Sequence, residues 1–464
     1  RDFCLSRGLG DVYKRQVLLV TNEGFYRVDG GVARYVRNIL DARAISQEVA
    51  AAHGVDLSWH VAERTLGGRV DDAALEQAME QYIRPGHVEF HPLVDPRRSN
   101  SEPDHLEHFV ALGAAVGQLV AHLARSVDSV LVVGGMSMFS IAPRFVLRAA
   151  DQLGLRVSYV HMTHNPVISA HGGADRPEAY SDAVMGHLAR SDERVNVGWE
   201  SAWMRRQYAS VYGIDEDDMI FARAGVPTSD AKFRRQSDAT VHHTLRALGV
   251  PLDRPLALSW GRAGAGKGFS LLVRACRAID DRVVPVVLNP VPNQSLAHTV
   301  AALESSAVLL DGQDDDVISA LCQWEGTLTA TFLSWGEAAS VTPIEAALMS
   351  DGGGSVVSAV PTGVYRELVV PGRNGVLAED RSVDGVARML DCLTRMPLQE
   401  RVRLGAVAAE DARRHHDFAT NWRTTLNEAL GRHLHVISRS AAQRRDLQRQ
   451  RFLYAPGPDR EAVR

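Results

Sequence analysis

Twice along this 464-residue chain a short apolar run leads into a glycine-rich loop and out into an amphipathic helix. The first unit runs from Val17 to Thr21, through a loop at 22–31 that ends Asp29-Gly30-Gly31. A helix follows from Val32, with Tyr35, Val36, Ile39 and Leu40 at helical spacing. The second runs from Leu256 to Trp260, through Gly261-Arg262-Ala263-Gly264-Ala265-Gly266-Lys267-Gly268, into a helix with Phe269, Leu272, Val273 and Cys276 on one face. Strand, glycine loop and helix together open a nucleotide-binding α/β unit, because the loop delivers a ligand to the N–H groups at the helix N-terminus. Further strand-like runs follow each opening: Val130 to Val133, Arg156 to His161 and Val195 to Val197 after the first, and Val283 to Leu288, Ala307 to Leu310, Thr327 to Phe332 and Ser355 to Val360 after the second. The expected fold class is α/β, with two Rossmann-like domains.

Composition narrows the function. Apolar residues make up 45% and charged residues 23%, as in an ordinary globular protein. The net charge of −5 argues against bulk nucleic-acid binding. Cysteines at 4, 276, 322 and 392 have neither metal-ligand nor disulfide spacing, so a reducing, cytoplasmic setting is expected. The apolar run 129–143 is shorter than the roughly 18 to 20 residues a membrane span needs and contains Gly134 and Gly135, so no integral membrane segment is expected. Peripheral membrane contact stays open. Residues 1–16 have neither signal-peptide layout nor a starting Met, and resemble translated sequencing-adapter read-through. They are read as a non-native artefact.

The stretch Leu333 to Glu345 holds two carboxylates, Glu337 and Glu345, on either side of a helix start. Thr342 suits the N-cap, Pro343 the first helical position, and Glu345 the third, which is a capping box. Glu337 then lies in the preceding loop and Glu345 on the first turn, both near the positive end of a helix dipole. Capping alone would explain Glu345. His164, just past the strand ending at His161, sits where open α/β sheets bind ligands, though a lone His is more often structural. Gly261 to Gly268 nearly spells a Walker A loop, but Gly268 stands where that loop needs a hydroxyl for Mg²⁺.

Taken together, these segments resemble the family-4 glycosyltransferases, which adopt the GT-B fold. Gly261-Arg262 with Lys267-Gly268 is similar to their Gly-Arg…Lys-Gly element, and Glu337 and Glu345 match their Glu-x7-Glu motif. Gly363, Glu367 and Gly372-Arg373-Asn374-Gly375 resemble the element that follows, Met219 to Val226 the segment that ends the first domain, Gly30-Gly31 the N-terminal glycine loop, and Thr163-His164 the acceptor-side His. The order agrees from Val17 to about Trp422.

The resemblance implies a retaining, metal-independent transfer of a sugar from a nucleoside-diphosphate sugar, of UDP or GDP type, to an acceptor that is a sugar, a lipid-linked group or a small molecule. Arg262 and Lys267 would stabilise the departing diphosphate, Glu345 would hold the ribose, Glu337 the donor sugar, and Gly30, Gly31 and Gly261 would let backbone approach the phosphates. No cofactor or metal is implied. The family usually has Gly-Phe-Gly after the first Glu, and this chain has Ala338-Ala339-Ser340, which bears on donor choice. The domain layout expected is an acceptor domain at 17–225, a linker at 226–255, a donor domain at 256–415, a helix crossing back at 416–438 and a polar tail at 439–464. Other readings are a GT-B module that binds without turnover, a nucleotide-sugar epimerase and a P-loop NTPase.

Overall fold

The computed structural model describes residues 13–21, 23–25, 31–68, 72–84, 88–97, 105–127, 129–162, 177–262, 265–289, 294–312, 314–337 and 339–453. The first half supplies strands β1 (Tyr13–Thr21), β2 (Val55–Leu66), β3 (Val88–Asp95), β4 (Ser129–Gly135), β5 (Arg156–Met162), β6 (Val195–Trp199) and β7 (Ile220–Phe221). Around them lie α1 (Gly31–Asp41), α2 (Arg43–Ala52), α3 (Asp72–Ala78), α4 (Leu106–Leu123), α5 (Ala142–Leu153), α6 (Pro177–Ser191) and α7 (Ala202–Tyr212). Among the described residues the strands form one parallel sheet in the order β3-β2-β1-β4-β5-β6-β7. Every residue of β4 is buried, as expected where helices cover both faces of a parallel sheet.

The second half repeats the plan. It has α8 (Asp238–Ala247), β8 (Leu256–Trp260), α9 (Phe269–Ala278), β9 (Val284–Asn289), α10 (Gln294–Ala302), β10 (Val308–Asp311), α11 (Asp315–Gln323), β11 (Thr327–Phe332), α12 (Thr342–Met349), β12 (Val356–Ala359), α13 (Tyr365–Leu368), β13 (Val376–Leu377), α14 (Val383–Arg395) and α15 (Leu398–His415). The sheet order is β10-β9-β8-β11-β12-β13, again parallel. In both sheets the strand order reverses beside the opening strand, at β1/β4 and β8/β11, which are the crevices where such sheets take ligands.

Two chain segments cross between the halves side by side. The Val226 N–H donates to the His416 carbonyl at 2.9 Å, and the Phe418 N–H donates to the Val226 carbonyl at 2.9 Å. A Cβ at Gly225 would lie 2.6 Å from the His416 oxygen, so the crossing admits only glycine there. Helix α16 (Phe418–Leu453) then returns to the first domain, where Phe418, Trp422, Leu426 and Leu430 join Val17, Tyr35, Trp59 and Val61 in one core.

Several segments differ from the sequence reading. Strand β1 starts at Tyr13, and Tyr13 to Gln16, within the segment read as artefact, pair with Val55 to Ser58. Backbone pairing extends as far as the long strand β2 offers partners, whatever the side chains. The stretch 226–255 is not a bare linker. Ser237 caps α8 by accepting from the Thr240 N–H, and Val241, Leu245 and Val250 bury into the second domain's core. The 439–464 tail is helical as far as Leu453. Among the described residues one helix, α4, is long and apolar enough to cross a membrane, with mean hydropathy 1.3. Its Phe109, Leu112, Val116 and Val120 are buried in the domain core.

Trp422 is buried, stacks on Phe418 and donates its indole N–H to Ser46 Oγ at 3.0 Å. Trp422→Ala is expected to cost about 3–5 kcal/mol of unfolding free energy. Denaturant titration of the full chain measures this, and a loss under about 1 kcal/mol would show that the returning helix contributes little to the first domain's core.

Candidate functional site

The site is built on loops leaving the carboxyl ends of the two central strands of the second sheet. The chain leaves β8 at Gly261, whose φ of +143° is open to glycine, and enters α9 through Gly268, at φ +78°. A Cβ at Gly268 would lie 2.6 Å from the Leu333 carbonyl, so the absence of a Walker-type Ser or Thr has a packing reason. The loop after β11 lies alongside, and the Trp335 N–H donates to the Gly266 carbonyl at 3.2 Å. This side-by-side path brings Lys267 Nζ to 2.6 Å from Glu337 Oε1.

Glu337 is also held through its backbone by the loop after β12. The Val364 N–H donates to the Glu337 carbonyl at 2.9 Å, and Thr362 Oγ1 donates to the Ser334 carbonyl at 2.7 Å. Gly363, at φ +53°, packs so closely that a Cβ there would lie 2.4 Å from the Glu337 oxygen. Beneath it, burial keeps the Tyr365 phenol protonated, and the Glu337 charge adds to this. Trp335 is 65% exposed, and the Arg381 guanidinium lies 4.3 Å from its ring centroid. A large aromatic face left in solvent beside charged groups suits stacking on a sugar or base.

Glu345 lies on the first turn of α12, 3% exposed. It is not a capping residue. Thr342 is already helical, Val341 holds the cap position, and no side chain caps the helix. Pro343 fits one residue into the helix, so the start moves one residue toward the N-terminus. The Glu345 carboxylate instead accepts from Lys232 Nζ at 2.7 Å and from Arg34 Nη1 in α1. Asp315, at the start of α11, lies 3.4 Å from Lys232 and 3.8 Å from Arg34. Burial pulls the Arg34 guanidinium's pKa down, but the Glu345 and Asp315 charges outweigh it and the pKa is raised. Two cations and two carboxylates thus close an ion cluster between the domains, with α1 presenting its first turn to the second domain.

Arg262 is exposed and makes no ion pair or hydrogen bond among the described residues. Ser340 is buried, its Oγ 3.3 Å from Thr342 Oγ1, and Ala339 is half-buried. Gly31 is the first residue of α1. Gly30, His164 and Ala338 lie outside the described residues. The structure therefore brings together Lys267 with Glu337, and Glu345 with Arg34, Lys232 and Asp315. Sequence reasoning missed Arg34, Lys232 and Asp315. Lys232 carried a signal, since only three lysines occur in the chain. A cavity of about 240 Å³ lies against another face of α12, lined in part by Ile344, Ala347, Leu368, Arg373, Ala412 and His416. It includes none of the paired charges above, so the chemistry is not read there.

No protein-family model matches the sequence, and no curated protein does. Solved structures do match. A glycosyltransferase from Rickettsia africae superposes with a TM-score of 0.60 at 15% identity, covering 91% of this chain and 99% of that one. Anabaena HepE, solved with UDP and glucose, gives 0.61 at 17% identity, covering 90% and 99%. Sucrose-phosphate synthase from Thermosynechococcus elongatus gives 0.65 at 16% identity, covering 95% and 99%. The fold is GT-B. Its two parallel-sheet domains are matched over nearly the whole length of each of these proteins, so the likeness covers both lobes and their connection.

In this GT-B chain Gly363 sets the position of the Glu337 backbone. Gly363→Ala, strained at φ +53° and in contact with the Glu337 oxygen, is expected to lower stability by about 1–3 kcal/mol. Chemical denaturation reads this directly. A neutral result would mean that the loop has room to move away and that Glu337 is not held from this side.

Proposed function

We propose that this chain is a family-4-type retaining glycosyltransferase that moves a sugar from a nucleoside-diphosphate sugar, UDP-linked by preference, to a hydroxyl acceptor. The observation that carries the reading is the Lys267–Glu337 pair at the β8/β11 crevice, with buried Glu345 beside it on the first turn of α12. A departing nucleoside diphosphate develops negative charge. Lys267 offers a point charge, exposed Arg262 a guanidinium that can fork onto phosphate oxygens, and the N-terminus of α1 at Gly31 oriented N–H groups. Glu337 accepts hydrogen bonds from the donor sugar, and Glu345 accepts from the ribose hydroxyls. Charge at the leaving group is met by these cations, so transfer needs no metal at the reaction centre. Buried free Cys276 and Cys322 fit the reducing cytosol, where we place the protein. That HepE was solved with UDP and glucose supports UDP as the nucleotide.

The first test is a thermal-shift panel of UDP, GDP, ADP and their glucose conjugates on the full chain. A ligand at 100 times its dissociation constant stabilises by about 2.7 kcal/mol, and the uridine series is expected to do so. Glu345→Gln should weaken whichever series binds, because the ribose is common to all three. A guanosine or adenosine response would replace the base, and no response to any diphosphate would leave a GT-B module without donor binding.

Turnover is the second test. Lys267→Ala should lower kcat by about 10² to 10³ if it meets charge that develops at the leaving phosphate. The product's anomeric configuration, followed by NMR, should match the donor's, and EDTA should leave the rate unchanged. An unaltered rate in Lys267→Ala removes that residue from the mechanism.

A further inference from the structure

At the β3 edge of the first sheet, strands β2 and β3 hold a second cluster. His60 is the sixth residue of β2, and Glu89 and His91 are the second and fourth of β3, the edge strand. The parallel register sets Glu89 against His60 and His91 against Ala62, so all three side chains rise from one face of the sheet, the face covered by α4. His60 Nδ1 lies 3.1 Å from His91 Nε2 and 3.4 Å from Glu89 Oε2. One ligating atom from each residue falls within 4.8 Å of the others. His60 is buried, while the Glu89 carboxylate is 72% exposed and leaves the cluster open to solvent.

We propose that His60, Glu89 and His91 form a binding site for a divalent first-row metal ion, with Zn²⁺ the best fit. Ligands at the usual Zn–N length of about 2.0–2.1 Å, arranged tetrahedrally, stand about 3.3 Å apart, and the separations of 3.1 and 3.4 Å bracket that value. Two imidazoles and one carboxylate are a donor set that Zn²⁺ takes readily, with a fourth position for water. The carboxylate gives the neutral-imidazole cluster a net negative charge, which draws a cation.

Placing the ligands on paired strands fixes their geometry without loop ordering. A bound ion would clip the edge strand β3 to β2, securing a strand whose outer side has no neighbour in the sheet among the described residues. The site lies in the amino-terminal half of both strands, whereas the cleft lies at their carboxyl ends. The ion is therefore structural and separate from the transfer chemistry. The proposal does not rest on the function assigned above.

The competing arrangement is a hydrogen bond between two neutral imidazoles, with Glu89 near by chance. Titration of EDTA-stripped, desalted full chain with ZnCl2 separates the two. One equivalent is expected to bind saturably and to raise the melting temperature by about 5 °C. Co²⁺ at the same stoichiometry should show the intense d–d absorption of a tetrahedral site. Glu89→Gln and His91→Asn should each weaken Zn²⁺ binding by more than the roughly 10- to 100-fold that outer partners of a metal site cost. Both variants should melt like stripped wild type in EDTA, which separates ligand loss from misfolding. If His91→Asn does not fold, exposed Glu89→Gln decides. Zn²⁺ binding left intact in both variants, or no saturable binding, overturns the site and leaves the imidazole hydrogen bond.

Discussion

Phe418, Trp422, Leu426 and Leu430 belong to the last helix in the chain, yet they fill the face of the first sheet that also holds Val17 and Trp59. The first domain's core is therefore completed by residues that follow the whole of the second domain. This ties the two lobes into one folding problem and fixes the two crossing segments side by side at Val226 and His416–Phe418. Relative motion of the lobes has to bend at that pair of strand-like crossings, where Gly225 leaves no space for a side chain. A cleft hinged at one edge and open at the other is what such a connection allows.

Between the domains part of the restraint is electrostatic. Glu345 is almost fully buried, and taking a carboxylate out of water costs of order several kcal/mol unless cations meet it. Lys232 from its own domain and Arg34 from the other do so, and Asp315 balances them. The cluster ties the two domains together through the Glu345 carboxylate. A ligand whose hydroxyls take over at Glu345 would have to leave Arg34 and Lys232 with new anionic partners. On the function proposed above, the donor's diphosphate would supply such charge.

The repeated strand–glycine loop–helix openings made the two-domain α/β plan legible, because parallel strands buried on both faces write continuous apolar runs such as Val130 to Val133. The Lys267–Glu337 pairing was within reach for the same reason, since both follow strands that the topology places side by side. What stayed hidden depends on tertiary position. Arg34 is one arginine among many, and nothing local marks it as facing Glu345 across the cleft. Asp315 reads as an ordinary first-turn acid. The stretch 226–255 looked like a linker from its polarity, while Val241 and Leu245, four apart, carried the helical signal. Thr342 had every mark of a cap. The chain turns helical one residue earlier, with Val341 at the cap position already in helical geometry, and Glu345 pairs with cations instead of capping.

The departure after Glu337 has a structural counterpart. Where Gly-Phe-Gly would leave room beside the first Glu, this chain has Ala338-Ala339-Ser340, with Ser340 buried and turned toward Thr342. Close approach to the Glu337 backbone comes instead from Gly363, on the loop after β12, which tolerates φ +53° and a contact no side chain could make. The Thr362 hydroxyl and the Val364 N–H add two hydrogen bonds on the same side. Glu337 is thus positioned by a neighbouring loop rather than by flexibility in its own. A loop braced in this way holds the Glu337 carboxylate in one place with less room to adapt.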